Sequence, residues 1–120
     1  MTKIQNTKQY DLEDRTLKFA RRVIAFINRL PRNMANLEIG RQLIKSSGSV
    51  GANYIEANEA LSKKDFVVRI KICRKESKES LYWLKLVYVS EKKDEDERES
   101  LIQESTELMK IFGSILEKSR

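Results

Sequence analysis

GRQLIKSSGSVGANYIEANEALSKKDFVVRIKICRKESKESLYWLKL, residues 40–86, is the stretch on which the fold turns. Leu43, Ser47, Val50, Tyr54, Ala57 and Leu61 recur at alternating spacings of four and three, as one face of a helix does. Gly48 and Gly51 interrupt the same segment, each at a cost of about 1 kcal/mol relative to alanine. The small run Ser46–Ala52 offers a compensation, since a neighbouring helix can approach it closely. The expectation is therefore one continuous helix to about Ala60, with a break at Gly48–Gly51 as the competing reading. Ser62 then caps the next helix, and Asp65 takes the third helical position, where a capping box usually holds glutamate. Beyond it Phe66, Ile70, Cys73, Ser77, Ser80, Leu84 and Val87 follow a seven-residue repeat, bordered by Arg74, Leu81 and Tyr88. Two long helices folded back around Ser62 form the centre of the chain.

Working outward, the segment before Pro31 carries two adjacent stripes, Phe19, Val23, Phe26, Leu30 and Leu17, Ala20, Ile24, Ile27. Together they are wider than a coiled-coil seam, as suits a helix in a bundle. Pro31 disfavours helical geometry in the residue before it, so this helix ends near Leu30, and Asp11–Asp14 suit its positive end. Lys18, Arg21, Arg22 and Arg29 share its other side and read as a solvated face. Asn33 or Asn36 is available to cap the following helix. After the acidic turn EKKDEDERES, Leu101, Leu108, Phe112 and Ile115 line a last stripe, joined by Ile102, Met109 and Leu116. Helices near 12–30, 37–60, 63–90 and 95–117 with short links predict an all-α, antiparallel up-down-up-down four-helix bundle. The domain reading is a loose arm over residues 1–10 and a single bundle over residues 11–120.

Composition narrows the chemistry. The 120 residues contain no histidine, which removes imidazole acid–base catalysis, Ser-His and Cys-His pairs and the usual zinc sites. Glu56, Glu59, Glu76 and Glu79 are the one set of carboxylates worth weighing for a metal, but a di-iron bundle normally adds Glu-x-x-His pairs. No cofactor, metal or catalytic residue is expected. Cys73 stands alone on the apolar seam, which suits a small core residue in a reducing, cytoplasmic protein. No run approaches the ~20 apolar residues that span a bilayer, and the polar start MTKIQNTKQY is unlike a secretory signal, so no membrane partner is expected. Charge is uneven: residues 1–90 hold 18 Lys and Arg against 9 Asp and Glu, while residues 91–120 hold 6 against 9. A basic body suits a polyanionic partner.

Three constellations on the central hairpin are candidate sites. Asn53 and Glu56 lie beside the seam of the second helix, roughly opposite Ile70–Cys73 once the hairpin closes. Arg69 and Arg74 are thereby expected to reach Glu56, in a partly buried pair that fixes register more than it adds stability. On the third helix Val68, Ile72 and Trp83 form an outward apolar patch near Glu79, of the kind a monomer rarely leaves uncovered. Lys64, Lys71, Lys75, Lys78 and Lys85, with Tyr82 among them, form a flank that could release counterions from nucleic-acid phosphates. The plainer reading of that flank is a solvated lysine face.

At these residues the chain resembles a known family. SGSVGANYIEAN, SKKDF and KICRKESKESLYWLKL are similar to the four-helix bundle proteins encoded in 23S rRNA intervening sequences, over approximately Tyr10 to Phe112. Ser49, Asn53 and Glu56 match that family's Ser-x-x-x-Asn-x-x-Glu pattern. Many members carry Pro-Ser-Asn-Ile-Ala-Glu-Gly there, where this chain has Gly51-Ala52-Asn53-Tyr54-Ile55-Glu56-Ala57. The resemblance implies a left-turning bundle assembled into a ring, as a homopentamer, and the outward apolar patch of Val68, Ile72 and Trp83 is the surface expected to make its contacts. It extends to the accessory proteins of diversity-generating retroelements, which implies a basic surface that binds RNA or a reverse transcriptase. The expected function is a non-enzymatic, ring-forming protein that binds RNA or DNA. The alternative is a protein–protein assembly or adaptor module without nucleic acid.

Overall fold

The structure, a computed structural model, describes the backbone of residues 3–120 and the side chains of residues 12–120. Four helices follow one another: α1 (Lys3–Arg29), α2 (Met34–Asn58), α3 (Lys63–Leu86) and α4 (Lys92–Lys118). Each packs on the next, and α4 returns to α1, so the helices stand at four corners in antiparallel succession. None of the described helices is long and apolar enough to cross a membrane. The backbone of α1 begins ahead of the start expected at Asp11–Asp14. KIQNTKQY contains neither glycine nor proline, so nothing in it stops a helix from running back. The side chains of the arm expected over residues 1–10 lie outside the described residues.

Phe19, Val23, Phe26 and Leu30 from α1 fill the core against Leu43, Val50, Ile70, Leu84, Leu108 and Phe112. Fully burying each such side chain is worth roughly 1.5–3 kcal/mol. The second stripe of α1 is a correction: Leu17 and Ile24 remain 49% and 44% exposed, because no helix covers that side. Leu61 also falls outside the core, at 98% exposure, since α2 ends at Asn58 and releases it into the turn. At mid-height the core turns polar and narrow, with Thr16, Ser46, Ser47, Ser77, Ser80 and Ser105 all buried. Serine and threonine hydroxyls in helices commonly bond a carbonyl one turn back, which lets them sit in apolar surroundings. Ser77 Oγ donates to Cys73 O at 2.8 Å and Thr16 Oγ1 to Leu12 O at 2.9 Å in this way. Ser46 and Ser80 additionally join α2 to α3, Oγ to Oγ, at 2.8 Å.

α2 runs unbroken through its glycines, and they differ in purpose. A Cβ on Gly51 would lie 3.0 Å from Thr16 Oγ1, so the small residue admits α1. Gly40 does the same for Ile27, at 3.1 Å. Gly48 has nothing within 4 Å and faces open space.

Caps and loops set the ends. Asn33 caps α2 through its side chain to the Asn36 N–H, and Ser62 caps α3 through the Asp65 N–H. Asn36 has a separate task. Its Nδ2 donates to Pro31 O and Tyr88 O at 3.0 and 2.9 Å, while its Oδ1 accepts from Tyr88 N at 2.8 Å. Arg98 Nη1 donates to Val87 O at 2.6 Å. These side chains take over backbone groups that a longer helix would have used, so α3 stops at Leu86 instead of reaching residue 90.

Candidate nucleic-acid interface and polar groove

α3 positions every candidate residue except those on α2. Its buried row is Ile70, Cys73, Ser77, Ser80 and Leu84, so positions between these rows look outward. Lys64, Lys71, Lys75, Lys78 and Lys85 are all exposed. Lys75 lies 3.7 Å from Glu76 and 4.0 Å from Glu79, whereas the other four have no ion pair among the described residues. Lys71 and Arg74 line a shallow groove between α3 and α4 with Gly113, Glu117 and Arg120. Arg120 pairs with Glu117 at 3.4 Å, leaving Lys71 and Arg74 as the unneutralised cations there. No local pattern singles out Arg120; only the return of α4 beside α3 brings it to the lysine flank.

The polar cluster forms with different partners from those expected. Asn53 Nδ2 donates to Ser49 O and Ser49 Oγ, both at 2.9 Å, and Arg69 Nη1 donates to Asn53 Oδ1 at 3.0 Å. Arg69 thus crosses from α3 to α2 to reach a neutral carboxamide, and the expected Arg–Glu56 pair does not form. Glu56 is exposed and has no ion pair among the described residues, and Arg74 points to the α4 side. The physical reason is rotational: Asn53 sits on the flank of α2 that faces α3, and Glu56 is turned toward water. In the apolar patch, Val68 is 49% exposed. Trp83 is half-buried against the core and edge-on to Tyr82, with ring centres 5.0 Å apart, so it offers only part of its surface.

Two of the arginines expected to face solvent instead join α1 to α4. Arg22 donates to Glu97 at 3.2 and 3.1 Å, and Arg29 to Asp94 at 2.8 Å. Arg15 adds a forked pair with Glu104 at 2.7 and 2.9 Å and a bond to Glu107 at 2.8 Å. Bonding to Glu104 raises the Arg15 pKa further, and Gln103 and Arg15 hold the Glu107 carboxyl below the usual range. The seven-residue spacing of Arg15, Arg22 and Arg29 was visible in the chain; the carboxylates opposite were not, because they depend on the antiparallel register of α4. On the seam, burial pushes the Cys73 thiol up to about 12, and its Sγ donates to Val50 O at 3.4 Å.

Comparison with known proteins adds two findings. A family model described as 23S rRNA-intervening sequence protein matches residues 8–114. A crystal structure from Bacteroides thetaiotaomicron, of a protein with unknown function from the S23 ribosomal protein family, aligns with a TM-score of 0.79 at 32% identity, covering 92% of this chain and 98% of that one. No curated protein matches.

Proposed function

Because the chain belongs to the 23S rRNA-intervening sequence protein family, we propose that it is a non-enzymatic, ring-forming cytoplasmic bundle that binds RNA or DNA through the basic side of α3. The observation that carries this reading is the row of Lys64, Lys71, Lys78 and Lys85, exposed and without acidic partners among the described residues. Lys71 to Lys85 covers fourteen residues, ~21 Å of helix at 1.5 Å per residue, enough to follow several phosphates. Arg74 widens the row toward α4. Lysines deliver charge without the planar fork that reads base edges, so contact is to the backbone and sequence selectivity is weak. The absence of histidine from the sequence and a Cys73 thiol held protonated in the core support a non-enzymatic role. By the resemblance, a reverse transcriptase carrying its RNA is a partner of the right chemistry, and a ring of five would repeat the lysine row and raise avidity.

The test is binding of labelled structured RNA and duplex DNA at graded salt. Affinity should fall steeply with salt, and Lys71→Glu with Lys78→Glu should weaken it at least tenfold while leaving the oligomer intact. Equal, negligible binding by parent and variant at low salt overturns the reading. That result would favour the adaptor alternative, which the exposed aliphatic side chains of α1 and α2 support.

A further inference from the structure

Two apolar surfaces remain after the bundle has filled its own core. One is the groove between α1 and α2, where Leu17, Ile24, Ile44 and Ile55 stay exposed. Toward the α1–α2 turn it deepens into a recess among Ile27, Leu37, Gly40 and Ile44. The other is a ridge on α3 formed by Val68, Ile72 and Trp83, with Tyr82 beside them. The Arg69–Asn53 and Ser46–Ser80 bonds mark the side of α3 that meets α2. By helical position the ridge lies between that side and solvent. Groove and ridge therefore occupy adjacent faces of a four-cornered bundle.

We propose that the groove takes a second copy of this chain, the ridge of one copy lying in the groove of the next with Trp83 at the recess. This rests on the ring-forming part of the function proposed above and is independent of nucleic-acid binding. The contacts Thr16–Gly51, Ile27–Gly40, Val50–Cys73 and Ser46–Ser80 set a common height along the bundle. On that scale Val68 stands level with Ile55, Ile72 with Leu17, and Trp83 with Ile24 and the recess. Rotation about an axis parallel to the helices preserves those heights, so apolar surface meets apolar surface along the whole ridge. Charge agrees with the same direction: Glu79 comes level with Arg21 on the groove's rim, and Lys64 with Glu59. The reversed pairing brings Glu79 to Asp14 and Lys64 to Arg32, like against like at both ends. Because the two surfaces differ, the contact is head-to-tail. Adjacent faces turn each copy relative to the last, so a contact of this kind makes a ring where the rotation closes.

Light scattering on the full chain tests this with a groove variant, Ile24→Asp with Ile44→Asp, and a ridge variant, Val68→Asp with Ile72→Asp. Circular dichroism checks that each stays helical. The parent should be a closed oligomer and each variant alone a monomer. Their equimolar mixture should give a one-to-one dimer and nothing larger, since one intact groove and one intact ridge remain between them. A groove variant that keeps the parent mass overturns this inference and leaves the ring reading standing; a monomeric parent overturns both. A mixture that stays monomeric overturns the pairing of groove with ridge. Should the ridge variant lose its helicity, Glu79→Arg serves instead: it should lower the oligomer fraction, and adding Arg21→Glu should restore it. Failure to restore overturns the register.

Discussion

Ser105 Oγ is buried on α4 with no hydrogen-bond partner among the described residues, unlike the hydroxyls around it. An unpartnered buried hydroxyl carries a desolvation cost of about 1–3 kcal/mol. Ser105→Ala should therefore leave stability unchanged or raise it, as read from the urea midpoint. Ser46 and Ser80 should behave differently, because one hydroxyl donates to the other, which in turn donates to a carbonyl of its own helix. A double-mutant cycle to alanine should show a coupling of about 0.5–1.5 kcal/mol between them. Cys73 supplies a pH signature. Its thiol, ordinarily near 9.0, is pushed up to about 12 by burial, so the folded state holds the proton more tightly. That contribution is complete below pH 9 and is lost as pH rises toward about 12. Tyr54, also raised by burial, acts in the same direction. Relative to Cys73→Ala, the parent should lose stability across that window, and its thiol should resist disulfide reagents until the chain unfolds.

Among the elements, α1 and α4 are the pair joined across their outer edge by a ladder of ion pairs. Arg15, Arg22 and Arg29 climb one side of α1 at successive heptad positions and meet Glu104, Glu97 and Asp94 in descending order. Asp94 is the critical member, because it is only 2% exposed in the first turn of α4. Removing Arg29 strands a buried carboxylate, so Arg29→Ala should cost about 1–3 kcal/mol, more than Arg22→Ala. Arg29→Ala with Asp94→Asn should recover part of the loss in thermal or urea unfolding. How much of this was legible in the chain depends on the element. The buried rows of α3 and α4 followed from periodicity alone, since residues every three or four positions have few other ways to meet. The outer stripe of α1 did not, because Leu17 and Ile24 are hydrophobic without being covered, and a wheel cannot tell a core face from an uncovered one. Arg69 choosing Asn53 over Glu56 turns on a rotation of α2 that spacing does not encode.

At the scale of the whole molecule, the antiparallel succession puts the α1–α2 and α3–α4 links at one end and the α2–α3 turn at the other. The lysine row on α3 was readable as a row, because exposed positions on a heptad are the complement of the buried ones. That Arg74 extends it toward α4 required the tertiary arrangement. The two ends are built differently. At one, Leu61 stands almost wholly in water; at the other, the Asn36 carboxamide grips the Tyr88 backbone through both its donor and its acceptor. A single side chain thus makes two loops, fifty-two positions apart in sequence, open as one. In the language of hydrogen exchange, the Tyr88 amide belongs to no helix yet should exchange as slowly as the helices around it. Asn36→Ala should release that amide to fast, local exchange and admit proteases between Val87 and Ser90, while the amides of Ile70 and Leu84 keep their protection.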